Sequence, residues 1–151
     1  MMSDLQDLYQ ELILDHNKRP RNRGRLEHPD HHADGYNPLC GDRVSIDLSM
    51  DGQTIRDVKF DGKGCAISTA SASLMTDAVK GKTIEHARSM FEKFHELLTD
   101  ERHAADDGAG LGKLAAFAGV RKYPARVKCA TLAWHALHAA LEDRAEPVTT
   151  E

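Results

Sequence analysis

Three cysteines and one aspartate stand where side-chain chemistry is available: Cys40-Gly41-Asp42, Cys65 behind Gly62 and Gly64, and Cys129 behind Arg126 and Lys128. Thiolates and a carboxylate are the donors that bind zinc, and thiolates also hold iron-sulfur clusters. The gaps between these residues match no zinc-finger pair, so the fold itself would have to assemble them. Taken singly, each cysteine could equally be a small buried hydrophobe. Taken together, all three lie beside glycine or at the predicted ends of elements, where reactive groups are exposed, and this favours a shared site. Cys129 is expected to open the last helix, where the helix dipole, free backbone N–H groups and the charges of Lys128 and Arg126 predict an unusually acidic thiol.

The elements that must position these residues follow from hydrophobic period. Val44, Ile46 and Leu48 alternate with Ser45, Asp47 and Ser49, and the turn pair Asp51-Gly52 leads to Ile55, Val58 and Phe60, which together predict a β-hairpin. In an antiparallel pair the loop before the first strand and the loop after the second lie at the same end, so Cys40 and Cys65 can meet. Cys65-Ala66-Ile67 either extends into a short third strand or runs straight into a helix over Ser68 to Val79, rich in small residues. Ser3 and Gln6 have capping-box spacing, and Leu5, Leu8, Tyr9, Leu12 and Ile13 then share one helical face until Pro20. Thr83 can cap a helix with Ile84, Ala87, Phe91, Phe94 and Leu98 inward.

Asp100 to Gly112 reads as a surface excursion, with Leu111, Leu114 and Phe117 as a short apolar helical return. A last helix is expected from near Pro124, with Val127, Ala130, Trp134, Leu137 and Leu141 on one face. Residues 145–151 are expected to form a flexible tail. The expected fold is α+β: a small antiparallel sheet of about three strands packed on one side by several helices. A chain of 151 residues fits a single domain, 1–151.

Composition narrows the function. A net charge of -4 argues against a general nucleic-acid binder. No apolar run is long enough to cross a membrane, and Met1-Met2-Ser3-Asp4 lacks the basic and apolar regions of a signal peptide, so a cytoplasmic location is expected. Three cysteines in such a chain suit thiol chemistry or metal binding better than disulfides. Lys18, Arg19, Arg21, Arg23 and Arg25 crowd a segment broken by Pro20 and Gly24, expected to be an exposed loop, either simply solvated or docking on an acidic surface.

The strings Asn37-Pro38-Leu39-Cys40-Gly41-Asp42, Gly62-Lys63-Gly64-Cys65-Ala66-Ile67-Ser68 and Lys128-Cys129-Ala130-Thr131-Leu132-Ala133-Trp134 closely resemble the three signature segments of the IscU/SufU (NifU N-terminal-like) family. Leu8-Tyr9 and Ile13-Leu14-Asp15-His16 extend the resemblance to the first helix, so nearly the whole chain is covered. Scaffold IscU proteins carry a histidine where this chain has Lys128, and the segment from Asp100 to Pro124 resembles the SufU insertion. The likeness is therefore to the SufU branch.

The resemblance implies a SufE/IscU-like fold and a zinc-dependent sulfurtransferase acting in iron-sulfur cluster assembly. Its implied partner is a pyridoxal-phosphate (PLP) cysteine desulfurase, SufS-like, with downstream cluster assembly proteins as recipients. Cys40, Asp42, Cys65 and Cys129 would hold Zn2+, and Cys40 would be the catalytic sulfur acceptor. A histidine of the partner would displace Cys40 from zinc, freeing its thiolate to attack the outer sulfur of the persulfide. Arg126 would attract that persulfide or orient Asp42, unless it is only an exposed helix-start arginine. Two rival readings remain: a scaffold on which a [2Fe-2S] cluster is assembled from iron and sulfide, and a structural zinc protein docking through its basic loop. His135 and His138 lie too far along the last helix to share the metal. His31-His32, in the loop before the first motif, could bind metal adventitiously, and His16 is given no ligand role.

Overall fold

The computed structural model describes residues 2–38, 41–99, 111–142 and 148–149. Cys40 and most of the acidic excursion, 100–110, lie outside the described residues. The elements are α1 (Met2–Lys18), β1 (His31–Asn37), β2 (Asp42–Asp51), β3 (Thr54–Lys63), α2 (Ala66–Val79), α3 (Ile84–Thr99), a 3-10 helix (Gly112–Lys122), α4 (Pro124–Leu141) and β4 (Val148–Thr149).

The expected hairpin forms as β2 and β3, antiparallel, with Gly52 at φ +61° in its turn. Val44, Ile46 and Leu48 point into the core, as alternation requires. Ile55 and Val58 are both buried although three positions apart, and the register skips between Ser49 and Met50, a bulge that restores the face.

The third antiparallel strand lies upstream rather than after Cys65. β1 pairs with β2 from His31↔Leu48 to Asn37↔Asp42, so His31 and His32 belong to a strand, not a loop. Its inward residues are Ala33, Gly35 and Asn37, small or polar, so no apolar alternation announces it. After Cys65 the chain runs directly into α2. Part of the expected tail is also ordered: Val148 and Thr149 add β4, parallel to β1, giving the order β3-β2-β1-β4.

α4 departs from the single stripe expected of it. Cys129 to Trp134, Ala136, Leu137, Ala139 and Ala140 are all buried, so the helix is enclosed on nearly every side. Trp134 stacks on Phe94 at 4.9 Å between ring centroids, and Phe117 meets Phe94 edge-on at 5.8 Å. Leu111, Leu114, Phe117 and Val120 recur every third residue, the period that puts them on one face of a 3-10 helix, and all are buried. Thr83 caps α3, its hydroxyl accepting the His86 N–H at 3.1 Å.

The basic segment is stitched to the body. Asn22 and Gly24 bond to the Phe60 backbone at the β3 edge. Arg21 pairs with Asp15 at 2.6 Å, Arg23 with Asp61 at 3.7 Å, and Arg25 with Asp47 at 2.8 Å. Asp47 also accepts from Leu26 N–H and from His32 Nδ1. Burial alone would raise the Asp47 carboxyl, but the hydrogen bonds from Arg25, His32 and Leu26 hold it below the usual carboxylate range.

His16 is buried against α2, where Ser73 Oγ accepts the Arg21 N–H at 2.8 Å and lies 2.7 Å from His16 Nδ1. The Ser73 hydroxyl thus ties the Arg21 backbone and the His16 ring to α2. Burial pushes the His16 imidazole below its ordinary value, so it is a neutral packing residue.

Candidate metal centre

Asp42 opens β2 and Cys65 follows β3, and antiparallel pairing brings them to one end of the sheet, with Arg43 opposite Lys63. Two glycines make the approach close. Gly62 sits at φ +145°, where an added Cβ would fall 2.1 Å from the Arg43 carbonyl oxygen. At Gly64 an added Cβ would fall 2.9 Å from Ser68 Oγ and 3.1 Å from Asp42 Oδ1.

Cys65 is the N-cap of α2. Its sulfur accepts the Ser68 N–H at 3.4 Å, while its own N–H donates to Asp42 Oδ1 at 3.1 Å. Asp42 Oδ2 lies 4.0 Å from Cys65 Sγ, and the carboxylate is almost wholly buried. Cys129 comes from α4, packed against β1, β2 and α2. It is buried, at 3% exposure, and occupies the second turn of its helix rather than the start. The expectation of a helix-opening, exposed Cys129 is thus corrected. The free N–H groups of a helix belong to its first turn, and it is the first turn of α2 that serves Cys65.

One ligand atom from each of Asp42, Cys65 and Cys129 lies within 4.8 Å of the others. The geometry gathers these three predicted residues; Cys40, the fourth, lies outside the described residues. Arg126 stands in the first turn of α4 with its guanidinium 5.1 Å from the Tyr123 ring centroid, and no hydrogen bond joins it to Asp42 among the described residues. His135 and His138 sit with Phe91 and His95 in a ring cluster between α3 and α4. His32 is engaged by Asp47 and Asp34.

Sequence reasoning missed Asn37 as a site residue. It is fully buried, and its Nδ2 donates to Cys129 Sγ at 3.5 Å. The sequence signal available was an uncharged polar residue immediately before Pro38, at the head of the first signature segment.

Comparison with known proteins shows the family of the chain. The model for the NifU-like N terminal domain matches residues 8–130. The zinc-dependent sulfurtransferase SufU of Bacillus subtilis is 47% identical over 89% of this chain and 90% of its own length. The iron-sulfur cluster assembly scaffold protein IscU of Streptococcus pyogenes is 42% identical over 93% of this chain and 87% of its own. A crystal structure from Fervidobacterium islandicum, whose description proposes an iron-sulfur cluster assembly scaffold for the SUF system, superposes with a TM-score of 0.78 at 36% identity, covering 90% of this chain and 98% of that one. The chain belongs to the NifU-like N-terminal domain family, alongside SufU and IscU proteins.

Proposed function

We propose that this chain is a zinc-dependent sulfurtransferase that accepts persulfide sulfur from a cysteine desulfurase and supplies it to iron-sulfur cluster assembly. The observation that carries this reading is the convergence of Asp42, Cys65 and Cys129 from three separate elements within 4.8 Å. The donor set fits zinc: tetrahedral coordination by sulfur and oxygen needs ligand atoms roughly 3.5–3.8 Å apart, a contraction of about 1.3 Å at most from separations within 4.8 Å. With Cys40, two residues before Asp42, the set reaches four ligands of the Cys3Asp kind. Bound zinc would keep the thiols deprotonated and shielded from oxidation.

Cys40 is the acceptor in this reading. Its thiolate attacks the outer sulfur of the donor persulfide, the donor S–S bond breaks, and the donor cysteine leaves as a thiolate that can take up a proton. No external oxidant or reductant is consumed. Asp42, Cys65 and Cys129 remain as ligands, and the near-complete burial of Asp42 and Cys129 suits groups that stay in place. Arg126 is a candidate auxiliary at the exposed start of α4. Lys128 instead of histidine, together with the greater identity to SufU than to the IscU relative, favours sulfur transfer over the scaffold role.

The test is to measure zinc and iron in the purified protein, mix it with a cysteine desulfurase, and follow cysteine turnover and persulfide on Cys40. Stoichiometric zinc, stimulated turnover and a Cys40 persulfide are expected, with all stimulation lost in Cys40→Ser. Full stimulation by that variant would sink the transfer reading; iron and sulfide on the fresh protein would favour the scaffold.

A further inference from the structure

We propose that Asn37 is a positioning residue of this centre, its side-chain amide holding the Cys129 sulfur as a ligand while its backbone anchors the loop that contains Cys40. The inference rests on the metal-site reading above and adds a residue to it. Asn37 ends β1, directly opposite Asp42 in the ladder, and its side chain is fully buried toward α4. Its Nδ2 donates to Cys129 Sγ across 92 positions of sequence at 3.5 Å. Its carbonyl oxygen accepts the Gly41 N–H at 2.9 Å, closing the loop between the first two strands. One residue thus joins the base of that loop to the interior of α4.

The chemistry of the amide decides what it holds. Its Oδ1 is buried without a hydrogen-bond partner among the described residues, so Cys129 is the one polar contact the side chain makes there. An N–H directed at sulfur favours an electron-rich thiolate. Turning the amide over would set Oδ1 against that sulfur, an arrangement tolerable only for a protonated thiol. A hydrogen bond to a metal-bound thiolate draws charge from the sulfur, making it a less reactive and more persistent ligand. The arrangement therefore assigns Cys129 to holding rather than to transfer, by a partner group that the interior protects from water.

The experiment uses the full chain loaded with cobalt in place of zinc. Wild type should show thiolate-to-cobalt charge-transfer bands. Asn37→Leu, similar in volume but without a donor, and Asn37→Asp, similar in shape but unable to donate when ionised, should move those bands to longer wavelength. Both should also release metal to excess chelator about ten times faster or more. A measurement that needs no variant uses the cadmium-loaded wild type, where the Asn37 side-chain amide protons should couple to the metal through sulfur. Folded variants with wild-type bands and release rates, or absent coupling in the cadmium form, would overturn the role of Asn37. A wild type without any thiolate band would instead overturn the metal site itself.

Discussion

Cys65 and Cys129 approach the same point from opposite circumstances. Cys65 is exposed at the N-cap of α2 and is steadied by a backbone N–H; Cys129 is buried in the second turn of α4 and is steadied by a side-chain amide. The difference teaches that nearness to a helix start in sequence is not access to its free N–H groups. Pro124 opens α4 and Cys129 lies beyond its first turn, and the enclosed sulfur accepts an N–H from a distant strand. The exposed sulfur takes its N–H from its own helix and faces the Asp42 carboxylate of β2.

The strongest way to break this pairing is Gly62→Ala. A Cβ placed 2.1 Å from the Arg43 carbonyl oxygen, at a φ that disfavours any side chain, should cost about 3 kcal/mol or more. It pulls Cys65 from Asp42, and urea melts with metal titration should record lower stability and lost metal uptake.

The two serine variants sharpen the contrast. Metal-free Cys129→Ser places a hydroxyl in a packed interior and should lose about 1–3 kcal/mol. Metal-free Cys65→Ser should stay within about 0.5 kcal/mol of wild type, because the site is exposed and serine is a favourable N-cap. Both should lose metal. Equal losses of metal-free stability would remove the distinction between the two settings.

The smallest effect lies away from the site and serves as its control. Asp47 is held below its ordinary value of 3.8, so its stabilising contribution is complete above that pH and is lost as pH falls through the lower folded value. Acid melts of Asp47→Asn should be less steep than wild type in that range, with metal uptake at neutral pH unchanged.

The sequence-readable parts of this molecule are those where apolar period speaks. The β2–β3 hairpin, the α3 cap at Thr83 and the start of α4 at Pro124 all form where alternation, capping and proline chemistry put them. β1 stayed hidden because close packing of α4 demands small inward residues, Ala33 and Gly35, which carry no hydrophobic signal. The bulge at Ser49/Met50 was written in the three-residue step from Ile55 to Val58, a clue legible only once the register is known. At the site, the ligand types were visible in the motifs, whereas the partner of Cys129 was not, since no local pattern links Asn37 to a residue in the last helix. The arginine segment is the exposed loop expected, but its carboxylate partners Asp15, Asp47 and Asp61 were not legible because they are spread along the chain.

That segment has a consequence for how the molecule can meet other chains. It covers the outer edge of β3 through Asn22 and Gly24, while β4 covers β1 at Gly35 and Tyr36 on the opposite side. An open strand edge is a template on which a foreign strand can assemble, and here both templates are occupied at these positions. Strand addition is blocked at Phe60 of β3 and at Gly35 and Tyr36 of β1. At these positions a visiting protein must instead read side chains and loops, so its fidelity there rests on the shape and charge of the surface rather than on the sequence-blind grammar of backbone pairing.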